Sequence, residues 1–173
     1  MKKILTAMAL AGSLMAGNFI NLDITNDTIM VEAQGNIVSD QPFYARGGYL
    51  INSDKPNFFY LGLKSEGQIL GVDLPVSFSM FVDYVHTDDN SALPIGVGAF
   101  GFLNSFSVPV FVRGEAEYAP EILSFQSAER FLKVKAEAGA KFIENGEVFA
   151  GYRSINFDHN YDNSLYFGIG FTF

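Results

Sequence analysis

From Leu165 to the end of the chain every second residue is large and apolar. Leu165, Phe167, Ile169, Phe171 and Phe173 alternate with Tyr166, Gly168, Gly170 and Thr172. A period of two marks a β-strand with one greasy face. The pattern recurs along the chain. Ile20, Leu22 and Ile24 alternate with Asn21, Asp23 and Thr25, and after Asn26-Asp27 a second run sets Ile29, Val31 and Ala33 against Glu32 and Gln34, as in a hairpin. Further strands are predicted over Pro42–Asn52, Asn57–Glu66, Val72–His86, Leu93–Leu103, Ser107–Tyr118, Ala128–Ile143, Glu147–Phe157 and Ser164–Phe173, ten in all.

Turn chemistry separates them: Ser39-Asp40-Gln41, Ser53-Asp54-Lys55-Pro56, Asn104-Ser105 and Glu144-Asn145-Gly146. No stretch carries a convincing helical period; Pro120–Glu129 has room for a helical turn inside a loop. If the first strand rises from the periplasm, His86–Ala92, Ala119–Ala128 and Asp158–Asn163 form long outer loops and the inner turns are short, the asymmetry of a bacterial outer-membrane barrel.

Splitting the strands by parity sharpens this. Val108, Val110, Val112, Gly114, Ala116 and Tyr118 share one face, with Phe111, Arg113, Glu115 and Glu117 on the other. The run 132–142 repeats it, with Leu132, Val134, Ala136, Ala138, Ala140 and Phe142 opposed to Lys133, Lys135, Glu137, Gly139 and Lys141. Such alternation fits a soluble sandwich or lipocalin-like barrel with the greasy faces inward, or a membrane barrel with them outward. Strands of about ten residues, the right length for a tilted crossing, favour the membrane. An aromatic terminal strand behind a leader points the same way.

The leader is the opening MKKILTAMALAGSLMAGN, with two lysines, an apolar stretch from Ile4 to Leu14 and small residues after it. That is the layout of a secretory signal peptide, too short to span a bilayer, with cleavage expected after Ala16 and a barrel domain over 17–173. No later apolar run is long enough for a transmembrane helix. The chain has 18 Phe, 8 Tyr and no cysteine, so disulfides do not hold it. A formal charge of −8 argues against nucleic acid as a partner. The fold class is thus all-β, a single transmembrane antiparallel barrel of ten strands, with eight as the alternative if 18–38 forms a plug or one long irregular strand.

Several segments resemble the YfaZ-like small outer-membrane proteins of Gram-negative bacteria: RGEAEYAPE (Arg113–Glu121), AEAGAKF (Ala136–Phe142), AGYRSINFD (Ala150–Asp158) and the terminal YFGIGFTF, with a weaker match over Asp73–Val85. These motifs are structural. The resemblance implies a signal-bearing outer-membrane barrel whose terminal aromatic, Phe173, helps the barrel assembly machinery recognise the last strand.

Parity places acids Asp23, Glu32, Glu66, Asp83, Glu115, Glu117, Glu137 and Glu147 inward with bases Arg46, Lys64, Arg113, Lys133, Lys135, Lys141 and Arg153. In a narrow lumen these should pair, because unpaired buried charges are costly to desolvate. Arg113 with Glu115 and Arg153 with Glu147 are the pairs that proximity suggests. Gly47, Gly48, Gly96, Gly98, Gly168 and Gly170 read as residues that relieve crowding in a curved sheet.

Catalysis has weaker support. His86, Asp88 and Asp89 stand at one outer rim and Asp158-His159 at another, faintly like the rim site of omptin-type proteases, but adjacent residues point apart and the walls are too short. A lipid A deacylase needs a nucleophile beside a base at the lipid surface, and the one lipid-facing serine well inside a strand, Ser154, has no histidine near it in sequence. The sequence therefore predicts a monomeric outer-membrane barrel with a charge-paired, largely filled lumen, in a structural, small-solute or surface-interaction role. No enzyme activity, cofactor or metal is expected. Its partners are outer-membrane lipid, lipopolysaccharide and the assembly machinery. The main alternative is a narrow porin-like channel; a protease or lipid A-modifying enzyme is the more distant one.

Overall fold

The computed structural model describes residues 18–38, 41–68, 76–103 and 108–173. The leader, the Ser39-Asp40 and Asn104-Ser105 turns and the start of the Val72 strand lie outside the described residues. Twelve strands follow in order: β1 (Asn18–Ile24), β2 (Thr28–Asn36), β3 (Phe43–Asn52), β4 (Phe58–Gly67), β5 (Val76–His86), β6 (Asn90–Ala92), β7 (Ile95–Leu103), β8 (Val110–Ala119), β9 (Ser124–Gln126), β10 (Phe131–Ile143), β11 (Gly146–Phe157) and β12 (His159–Thr172).

Ten of them form the wall. Each pairs antiparallel with its neighbour, from β4 through β3, β2, β1, β12, β11, β10, β8 and β7 to β5, and β4 pairs with β5 to close the ring. Closure leaves no sheet edge, the condition for strands to cross a bilayer without unpaired backbone groups. The seam is β1 on β12, where Phe19 faces Thr172 and Ile24 faces Phe167. Both described chain ends therefore lie at one end of the barrel, called proximal here; the other end is distal. Residues 18–36 supply two wall strands, which rules out the eight-stranded alternative.

The faces are sorted the opposite way from a soluble protein. Leu165 and Phe167 are 80% and 77% exposed, whereas Tyr166 between them is 2% exposed. Leu61, Leu63, Met80, Val82, Ile95, Val97, Val112 and Leu132 are likewise exposed, while Arg46, Asp83, Glu117, Lys133 and Arg153 are buried. Water would penalise this arrangement and a hydrocarbon surround favours it, so lipid covers the outer face.

Inside, rings lie flat on glycines. A Cβ at Gly48 would come 2.3 Å from Tyr60, and one at Gly96 would come 2.0 Å from Phe81. Only glycine lets these rings reach the wall, and that leaves the axis to longer charged side chains.

The connections depart from the expected asymmetry. The β11–β12 hairpin turns on Asp158 alone, at φ 57, and residues 159–163 belong to β12 rather than to a long outer loop. Asp158 tolerates that left-handed backbone better than most residues, and its carboxylate accepts hydrogen bonds from the Glu129 and Arg130 amides at 2.7 and 2.9 Å. The long distal segments carry structure of their own: β6 pairs with β5 and with β9, and a 3-10 turn spans Glu121–Leu123. Periodicity missed these three-residue strands because they are too short to show one.

Candidate functional site: the barrel lumen

The inward residues form three layers. At the distal end Leu50, Phe58, Val85, Ala119, Phe131 and Ile155 have 0% exposure. Phe58 stacks on Phe131 with ring centres 6.3 Å apart, Phe157 meets Phe131 at 4.7 Å, and Tyr161 and Leu123 pack against the cluster. Tyr161 is tied down from both sides: its hydroxyl donates to the Pro56 carbonyl, and its backbone carbonyl accepts from Lys55 Nζ at 2.6 Å. This apolar layer was not foreseen. The signal was present, since the parity that turns Lys133 and Lys135 inward turns Phe131 inward too.

Beneath it lies the charged layer. Arg46 Nη2 reaches Glu115 at 3.0 Å and Glu117 at 3.5 Å, and its Nε lies 3.5 Å from Asp83. Lys133 Nζ bonds Glu117 at 2.9 Å and stands 4.2 Å from the centre of the Tyr60 ring. Lys135 Nζ sits among three carboxylates, with Asp23 and Glu137 each at 3.0 Å and Glu32 in contact. Tyr60 and Tyr166 donate their hydroxyls to Glu32 and Glu137 at 2.8 and 2.7 Å. Carboxylate oxygens of Asp23, Glu32 and Glu137 lie within 4.8 Å of one another, the spacing of a cation site, but the Lys135 ammonium already supplies the cation.

Two pairings differ from those that proximity suggests. Arg153 binds Asp162 at 2.7 Å, Thr28 at 3.0 Å and Asp23 at 3.5 Å, not Glu147. Arg113 binds Glu137 and, at 2.8 Å, Glu147, while Glu115 is held by Arg46 and by Lys64 at 3.5 Å. Neighbours two apart on one face do pair at Lys64–Glu66 and Lys135–Glu137, but a narrow lumen also brings side chains from across the barrel within reach, and those win at Arg113 and Arg153. Asp162 was missed because 158–163 reads as a polar loop.

The proximal layer is open. A cavity of about 390 Å³ is lined by Phe19, Tyr44, Lys64, Glu66, Phe100, Phe102, Arg113, Lys141 and Glu147, among others. A chamber of about 80 Å³ continues toward Arg46, Lys135 and Glu137. Lys64 binds Glu66 at 2.8 Å, and Lys141 lies 5.5 Å from the Phe102 ring centre.

Among the described residues the rim candidates do not assemble. Asp88 and Asp89 are exposed, Asp158 latches the 129–130 backbone, and the His159 side chain lies outside the described residues. Ser154 faces outward and accepts a hydrogen bond from Asn156. The fold does join one serine to a histidine, because β5–β6 pairing sets Ser91 opposite His86. Ser91 Oγ lies 2.8 Å from His86 Nδ1, 3.3 Å from the Tyr84 hydroxyl and 3.2 Å from Gln126 Oε1. At 4% exposure and held by three side chains, that hydroxyl is a knot fastening the distal loops rather than an approachable nucleophile.

A closed ring of antiparallel strands, greasy outside and charged within, defines a transmembrane β-barrel of the bacterial outer-membrane class. Among solved structures the chain is similar to the KdgM porin, with a TM-score of 0.55 at 7% identity over 91% of this chain and 99% of that one. It is also similar to the KdgM porin in complex with disordered oligogalacturonate, with a TM-score of 0.53, again at 7% identity, 91% and 99%. At that identity the likeness is one of fold. No protein-family model and no curated protein matches the sequence.

Proposed function

We propose that this chain is a non-catalytic outer-membrane barrel whose lumen is sealed against through-flow and open only toward the periplasm. The observation that carries the reading is the distal apolar layer. Phe58, Phe131, Leu50 and Ile155 meet across the lumen with no exposed surface, and a hydrated ion would have to displace them. The charged layer beneath acts as cross-bracing that ties opposite walls together through Arg46, Lys133, Lys135 and Arg153. Kinship with YfaZ-like proteins rests on the quoted segments. Engagement of the assembly machinery through Phe173, and contact with lipopolysaccharide around the distal rim, belong to the same reading.

A second reading is a narrow channel. It is favoured by the likeness to a porin and by the charged proximal cavity. Planar-bilayer recording separates the two. The sealed barrel gives no stable unitary currents. Reproducible currents from the wild type, with ion selectivity altered by Lys133→Glu or Lys135→Glu, would install the channel.

A further inference from the structure

We infer that the proximal cavity is a binding site for a small aromatic carboxylate, with Lys141 as its anion-recognising group. The argument is one of subtraction. Three carboxylates face this cavity and each is engaged: Glu66 by Lys64 at 2.8 Å, Glu115 by Arg46 at 3.0 Å, and Glu147 by Arg113 at 2.8 Å. Lys141 makes no ion pair among the described residues. Glu147 stands directly across from it on β11 but turns its carboxylate to Arg113. An entering molecule therefore meets an ammonium available to it and no carboxylate in the same state.

The body of the ligand follows from the walls. Phe100 and Phe102 meet edge to face with centres 5.0 Å apart, Phe19 lines the same cavity, and the Lys141 ammonium is held over Phe102. A flat ring suits the space between such faces, where offset or edge contacts are favourable. Its carboxylate then lies where Lys141 can donate to it. Deeper in, Arg113 uses Nε for Glu137 and Nη1 for Glu147, and Nη2 makes no hydrogen bond. Nη2 is enclosed, so Arg113 adds positive charge to the cavity wall without offering a free donor. At about 390 Å³ the cavity falls in the size range of small-molecule sites. The inference rests on the sealed-lumen reading only in treating the cavity as blind, a place where a ligand stays rather than passes.

The test is calorimetric titration of the folded full barrel in detergent with benzoate and, separately, with benzamidine, which has the same ring and the opposite charge. Saturable benzoate binding is expected, with benzamidine at least about tenfold weaker, as charge-assisted hydrogen bonds require. Lys141→Met should weaken benzoate by about tenfold or more, and Lys141→Arg should restore most of it. No saturable benzoate binding to the wild type, equal binding of benzamidine, or benzoate binding unaltered in Lys141→Met would each overturn the inference. Conductance recorded on the same preparation keeps the two proposals apart. Currents together with benzoate binding sink the seal and leave the site, while silence without binding sinks the site and leaves the seal.

Discussion

Lys133 and Glu117 face each other across β10 and β8, bonded at 2.9 Å, with each side chain 1% exposed. Removing Glu117 strands the Lys133 ammonium in the lumen, whereas Arg46 keeps Glu115 at 3.0 Å and Asp83 at 3.5 Å. Glu117→Leu is therefore expected to cost about 3 to 5 kcal/mol, and the double variant with Lys133→Met less than that single one, because no lone charge is left. Urea unfolding of the vesicle-embedded barrel measures both. A double variant less stable than the Glu117→Leu single would contradict the bracing role.

Depth should decide the cost of a charge on the outer wall. Val134 and Ala138 project outward from the middle of β10. Arginine at either is expected to cost about 2 to 4 kcal/mol, against about 0 to 1 kcal/mol near an interface. Glu129→Arg, in a distal loop, serves as the reference. Equal costs at all three positions would mean that lipid does not cover this face.

Gly48 and Tyr60 share one space. A valine at Gly48 would drive the Tyr60 ring from the wall and break its hydrogen bond to Glu32 at 2.8 Å. Gly48→Val should destabilise the barrel by about 1 to 3 kcal/mol. With Tyr60→Ala already present the added cost should shrink, since residues in contact do not add independently. Additive losses would show that the ring and the glycine are uncoupled.

The distal layer should fail in a specific order. Phe58→Ala and Phe131→Ala each remove a stacked ring with no exposed surface, and each is expected to cost about 3 to 5 kcal/mol. Together they should convert a silent barrel into one with a measurable leak in planar bilayers. Lys141→Met, in the open proximal cavity, should not. A leak from Lys141→Met alone would place the barrier at the wrong end.

The sequence by itself determined where the wall strands run and their sidedness; ten rather than eight was decided when residues 18–36 supplied two of them. A strand's side chains alternate through local backbone geometry alone, so Val134 and Lys135 fall on opposite faces wherever the strand is placed. The same rule turned Phe131 inward. What it could not supply was the meaning of an apolar side chain on the charged face, because a seal exists only when Phe58, Phe131 and Phe157 arrive from three strands at one height. Partner choice was equally beyond it. Lys135 meets Glu32 across 103 residues and Arg46 meets Glu115 across 69, and ring closure and strand stagger set those meetings. Proximity along the chain suggested Glu147 for Arg153, yet Asp162 holds it, since β12 runs beside β11 and brings that carboxylate within 2.7 Å. Alternation is written residue by residue. The seal and the charge pairs exist only after the strands have closed on one another.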